Sequence, residues 1–216
     1  TSLYSTTERR ELARFPESAA VAYCAFSTKE NLFATWTEDG MVTLRQLGTR
    51  QVIANFQISK PQPNHGRILF SPNDRFLAFG QQTDILLWEW GSGRQRRIRT
   101  PGIGDAVTTL AFSPDGRLLA AGCSRIQVWD VSNLWNLPTD TELPMLGQTD
   151  QQPGWIIDLA FAPDGKTLAI AGTDPRIGLW DVKTLRELRH FQGNTHTVWA
   201  VAFSPDGMDL VSGAED

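Results

Sequence analysis

Cysteine is nearly absent from this chain. Two occur in 216 residues, Cys24 and Cys123, and neither belongs to a CxxC pair. A zinc ribbon and a disulfide framework are thereby excluded, and a reducing, cytoplasmic setting is expected. Histidine is almost as scarce. His65, His190 and His196 stand neither at i, i+4 nor beside a cysteine, so surface or loop positions are expected rather than metal ligands. No segment approaches the 18 or more apolar residues that would cross a bilayer, and Thr1-Ser-Leu-Tyr4 lacks the basic-then-apolar order of a secretory leader. The chain does not begin with Met, so its natural start is expected upstream. An excess of positive charge is missing too. Lys and Arg number 20 against 24 Asp and Glu, a net charge of −4, which gives the molecule as a whole no pull toward polyanions. Gly (18) and Pro (12) are too few for a collagenous or low-complexity chain.

What is present repeats. Leu110-Ala-Phe-Ser-Pro-Asp-Gly116 returns as Leu159-Ala-Phe-Ala-Pro-Asp-Gly165 and Val201-Ala-Phe-Ser-Pro-Asp-Gly207, with weaker copies at Leu69-Phe-Ser-Pro-Asn-Asp74 and Cys24-Ala-Phe-Ser27. The phenylalanines Phe26, Phe70, Phe112, Phe161 and Phe203 are separated by 44, 42, 49 and 42 residues, a propeller-range period. A second mark follows the middle three: Trp88-Glu89, Trp129-Asp130 and Trp180-Asp181, 17 to 19 residues after each Phe. In the first copy that offset falls on Arg45-Gln46. Pro presets φ for a turn, Asp bonds the local backbone and Gly accepts positive φ, so Ser-Pro-Asp-Gly reads as a hairpin turn between two strands. Four short strands fit each period. Their sheets are apolar on both faces and become soluble only by stacking radially.

The chain therefore resembles the WD-repeat (WD40) β-propeller family over nearly its whole length. The expected fold is all-β, a partial ring of about five four-stranded antiparallel blades, with residues 1–216 forming one propeller segment. Arg10 to Phe15 aligns with Arg186 to Phe191 and is expected to be an outer strand of a preceding blade; the fifth repeat is unfinished. The family's Gly-His mark is displaced, with Asn194 at the His position and His196 two residues late. No blade then holds a complete His, Ser/Thr, Asp and Trp network. The Phe-Ser-Pro-Asp-Gly turns look like those of bacterial multidomain regulators, where companion domains are expected.

No catalytic constellation emerges. Gly165-Lys166-Thr167 mimics the end of a phosphate loop, but Ala160 stands where its first Gly is needed. Gly102-Ile-Gly-Asp105 lacks a third glycine, no GxSxG elbow occurs, and Asp115, Asp164 and Asp206 belong to separate turns. No cofactor is expected, and the chain is read as a non-catalytic protein-interaction scaffold, part of a larger intracellular regulator with an unidentified protein partner. The resemblance places a partner-facing rim at the start of the innermost strands, Thr108, Asp158 and Trp199, and at the turns between second and third strands, Glu38, Thr173 and Glu215. Trp135 lies in an insertion, Ser132 to Pro144, where it either anchors a partner or packs back on the disc. Arg94, Arg96, Arg97 and Arg99 map to an outermost strand, read as a solvated edge with an acidic-partner patch as the rival. Two alternatives are carried: a channel enzyme or small-ligand binder centred on Asp158, and polyanion or nucleic-acid binding through Arg94 to Arg99.

Overall fold

A computed structural model describes residues 1–61, 67–102, 106–138 and 141–216. Two short strands open it, β1 (Ser2–Ser5) and β2 (Arg10–Arg14), paired antiparallel. Four complete antiparallel sheets follow in chain order. The first holds β3 (Val21–Phe26), β4 (Leu32–Thr37), β5 (Met41–Gln46) and β6 (Val52–Gln57). The second holds β7 (Ile68–Phe70), β8 (Leu77–Gln81), β9 (Asp84–Glu89) and β10 (Arg94–Arg99). The third holds β11 (Thr109–Phe112), β12 (Leu118–Gly122), β13 (Ile126–Asp130) and β14 (Met145–Gln148), and the fourth β15 (Ile156–Phe161), β16 (Thr167–Gly172), β17 (Ile177–Asp181) and β18 (Glu187–Phe191). A pair, β19 (Val198–Phe203) and β20 (Leu210–Ala214), begins a fifth. Sequence alignment anticipated one opening strand; the chain builds two.

The repeat has a simple structural meaning. Each of the five phenylalanines is the last residue of its inner strand, opposite Phe33, Leu77, Leu119, Leu168 or Leu210 on the second. In the turns, Gly116, Gly165 and Gly207 take φ of +71°, +69° and +74°, the left-handed region where a side chain is strained. Their amides close the turns onto the carbonyls of Ser113, Ala162 and Ser204 at 2.8–2.9 Å. A Cβ at these glycines would lie 3.3–3.7 Å from the rings of Pro72, Pro114 and Pro163 in the preceding blade. The turns thus nest one upon the next around a common axis. Asp74 takes the left-handed position in the second blade (φ +54°), and its carboxylate accepts the N–H groups of Thr28, Lys29 and Glu30 at 2.6–3.1 Å. The first blade lacks the Pro-Asp-Gly sequence, and its neighbour caps the turn instead.

The core lies between the sheets. Trp36, Leu44, Phe79 and Trp88 fill the seam between the first two complete blades. Ile85, Leu119 and Trp129 fill the next, Val128, Ile156 and Trp180 the third, and Ala171, Leu179 and Val201 the last. Each repeat tryptophan therefore packs against the blade before it. Burying both faces of the sheets that have a neighbour on each side is what makes the radial stack stable, since each buried large side chain contributes roughly 1.5–3 kcal/mol.

Candidate interaction surfaces

Three groups of predicted residues can now be placed. On the inner strands the two-residue period is interrupted by a bulge at Ala22, Ile157 and Trp199, each four residues before its phenylalanine. Such a bulge re-aims the side chain. Trp199 is 52% exposed, and its indole N–H donates to Glu215 at 3.1 Å. Glu38 and Thr173 are exposed on the corresponding turns, and the Thr173 hydroxyl accepts the backbone N–H of Trp155 at 2.8 Å. The exposed Trp155 beside Thr173 had no repeat mark to announce it.

Thr108 corrects the expectation. It is 8% exposed, and its hydroxyl donates to the carbonyls of Gly122 and Ile156, tying the third blade to the fourth. A buried hydroxyl with both acceptors inside the fold is not a rim contact. Asp158 is corrected in register: Ile157, not Asp158, is the counterpart of Trp199. Its carboxylate is held by Arg67 on one oxygen and by the N–H of Val201 at 3.0 Å on the other. Arg67 and Asp158 both stand three residues before their phenylalanines, in the second and fourth blades. The ion pair spans the inner strand of the third. Arg67 was missed, although its offset could have revealed it. The channel thus has an acid, but one already engaged by a base.

The arginine strand is also not what its composition implied. In β10 the side chains alternate, and Arg96 shares the inward face with Ile98. Arg96 is 4% exposed and donates to the carbonyls of Leu134, Leu137 and Thr141 in the insertion. It is no part of a solvated edge or a basic patch. Arg94 pairs with Glu89 at 2.7 Å and lies 5.0 Å from the Trp135 ring, and Arg97 pairs with Asp84 at 2.9 Å. Arg99 stays exposed, 3.9 Å from Glu142. Trp135 is half-buried: it meets Phe76 edge-on at 6.2 Å, beside the fully buried Leu134. Of the two outcomes foreseen for the insertion, it packs back on the disc.

Among the described residues, no group of three or more His, Cys, Asp or Glu is placed to hold a metal ion, and no helix is long and apolar enough to cross a membrane. His65 lies outside the described residues, as do residues 103–105 of the Gly102 segment. His190 and His196 are exposed. In the unfinished blade, Asn194 reaches Ser212 at 3.5 Å, Asp216 accepts the N–H of Thr195 at 2.5 Å, and the Thr195 hydroxyl lies 2.9 Å from Nδ1 of the displaced His196, a remnant of the expected network.

Residues 96–130, 146–181 and 185–216 match the family described as WD domain, G-beta repeat. The chain carries WD40 repeats. Among similar proteins, a WD repeat-containing protein of Schistosoma mansoni, SL1-17, is 32% identical over 62% of this chain and 42% of its own length. Coronin-7 of Bos taurus is 34% identical over 65% of this chain and 16% of its own length. The nuclear distribution protein PAC1 of Arthroderma otae is 31% identical over 69% of this chain and 33% of its own length. The chain spans less than half the length of these curated relatives. They are eukaryotic and lend no support to a bacterial-type association, which rests on the turn sequences alone. The partial WD40 propeller of about five blades is the architecture of this chain, and WD40 propellers serve in general as protein-interaction scaffolds.

Proposed function

We propose that this WD40 segment is a non-catalytic docking module of a longer intracellular regulatory protein, engaging a protein partner through the rim that carries Trp199 and Glu215. One observation carries the reading: a large aromatic, half out of the fold, is fixed in orientation by the Glu215 carboxylate. A pre-oriented aromatic loses little freedom on binding and can supply a hot spot of about 2 kcal/mol or more. Thr173 and Glu38 occupy equivalent turns and extend the surface. The polyanion alternative is weakened by the burial of Arg96 and the pairing of Arg94 and Arg97. The channel alternative is weakened by the neutralisation of Asp158.

The test is affinity capture from lysate with the wild-type chain, Trp199→Ala and Asp158→Asn. Partners lost with Trp199→Ala but kept with Asp158→Asn support the rim. Capture unaffected by Trp199→Ala, or turnover of a hydrolase substrate panel that disappears with Asp158→Asn, refutes it.

A further inference from the structure

A groove runs between the third and fourth blades on the side opposite the Trp199 rim, where the nested proline turns lie. Its volume is about 530 Å³, and its floor includes Leu118, Leu146 and Leu185. Leu118 and Leu185 continue the buried seam around Trp180, whereas Leu146, on the outer strand β14, is 57% exposed. An apolar floor of this kind left open to solvent is a standing cost of burial not made.

The backbone adds a second observation. Leu185 has φ +51°, at the turn position where the second blade places Gly93 (φ +73°) and the first Arg50 (φ +64°). A branched apolar side chain is held in the left-handed region at about 1–2 kcal/mol. Its methyl occupies the space beside Gly147, 2.8 Å from where a Cβ would stand. The turn of the fourth blade is thereby hooked over the outer strand of the third, which closes one wall of the groove.

Charge decides what the groove fits. Lys166 and Lys183 line it, both exposed, and among the described residues neither forms an ion pair with a carboxylate. The single acid of the lining, Asp181, accepts the N–H and hydroxyl of Thr184, both at 2.7 Å, and feels the charge of Lys183 only as a minor attraction, which leaves two cations against one anion at the mouth. A locally cationic mouth over an aliphatic floor therefore stands out on a chain of net charge −4.

We propose that this groove is a second docking site, taking a short segment of a partner protein in which aliphatic side chains are flanked by Asp or Glu. The aliphatic groups cover Leu118, Leu146 and Leu185, and the carboxylates meet the two ammonium groups. This extends the scaffold reading to another surface and does not depend on Trp199.

The experiment selects a random dodecapeptide phage library on the whole chain, with counter-selection on Lys166→Glu/Lys183→Glu. The expected result is a class enriched in Asp or Glu beside Leu, Ile or Met, binding the charge-reversed variant at least about tenfold more weakly because attraction has become repulsion. Trp199→Ala should leave that binding unchanged, and the selected peptide should shift the methyl resonances of Leu146 and Leu185. If no such class emerges, if charge reversal leaves affinity unaltered, or if the shifts fall elsewhere, the groove is not a docking site. Leu146→Asp supplies an independent check: the solvent-exposed position tolerates the change, and the same peptides should be lost.

Discussion

Replacing Glu17 by Ala should cost this protein more than removing any exposed ion pair. At the position where three blades carry Trp88, Trp129 and Trp180, the first complete blade carries Arg45. Its guanidinium donates to both Glu17 oxygens at 2.9 and 3.1 Å and to the Thr35 hydroxyl at 3.3 Å, and lies 5.3 Å from the Phe15 ring. The two side chains are 7% and 6% exposed, so solvent screening brings little relief. Desolvating each ion costs several kcal/mol, offset only while the two-pronged geometry is intact. Glu17→Ala leaves a buried, uncompensated cation, and the expected loss is about 3–5 kcal/mol, against a total of about 5–15 kcal/mol for a typical domain. Removing both charges together, Glu17→Leu with Arg45→Met, should be neutral or better within about 1 kcal/mol. Urea titration followed by tryptophan fluorescence gives both values if the slope is unchanged. Because Glu17 precedes β3, the single variant should also free residues 1–16 for early proteolysis. A loss below about 1 kcal/mol for Glu17→Ala, or a double variant as unstable as the single, would refute the reasoning.

Two further outcomes are expected. Arg96→Lys keeps the charge but cannot fork to three carbonyls, so residues 132–144 should become the first site of limited proteolysis and stability should fall by about 2 kcal/mol; unchanged cleavage would show that the insertion is held by Leu134 and Trp135 alone. Acid should act through the turns. The Ser113 and Ser204 hydroxyls hold Asp115 and Asp206 below their ordinary values, and Arg176 and Thr184 do the same for Asp174 and Asp181. Burial would raise Glu89, but Ser92, Arg94 and Arg75 outweigh it and lower it. Each depressed carboxylate contributes stability that is fully present above its unfolded value, about 4, and is lost as pH falls through the lower folded value. Thermal melting should therefore be flat from pH 7 to about 5 and decline below about 4, less steeply in Asp115→Asn; a decline already between pH 7 and 5 would contradict this.

The period was legible because the phenylalanine ends a strand and the glycine needs a left-handed backbone, constraints that survive drift elsewhere. The role of Arg96 was legible in principle: in a strand, positions 96 and 98 share a face, and Ile98 announces which face is inward. Reading four arginines as one patch averaged over that alternation. Thr108 keeps the offset of four that Trp199 has and leaves the rim only because its hydroxyl is bonded inside the fold; Asp158 was placed wrongly for a different reason. A bulge inserts one residue without changing composition, so counting back from a phenylalanine cannot tell an offset of three from one of four. The Glu17–Arg45 pair left only a negative sign in the sequence, a missing tryptophan, because its partner comes from a segment outside the repeat.

The ties that sequence reading missed have a common feature, which bears on how the binding surface is held. Within blades, the polar network of the family is incomplete. Between blades it has been replaced: Asp74 caps the first blade from the second, Thr108 reaches Ile156, and Asp158 receives Val201 while pairing with Arg67 two blades away. A propeller of self-sufficient repeats would behave as a row of nearly independent units coupled only at their seams. Here a side chain of one blade, Asp74 and Asp158 as acceptors and Thr108 as donor, is bonded to the backbone of a neighbouring blade, so opening a seam exposes unpaired polar groups as well as apolar area. The Trp199 rim is anchored through Val201 to Asp158, and through Arg67 to the second blade. A contact made there is borne by most of the disc, which is the mechanical property a docking platform requires.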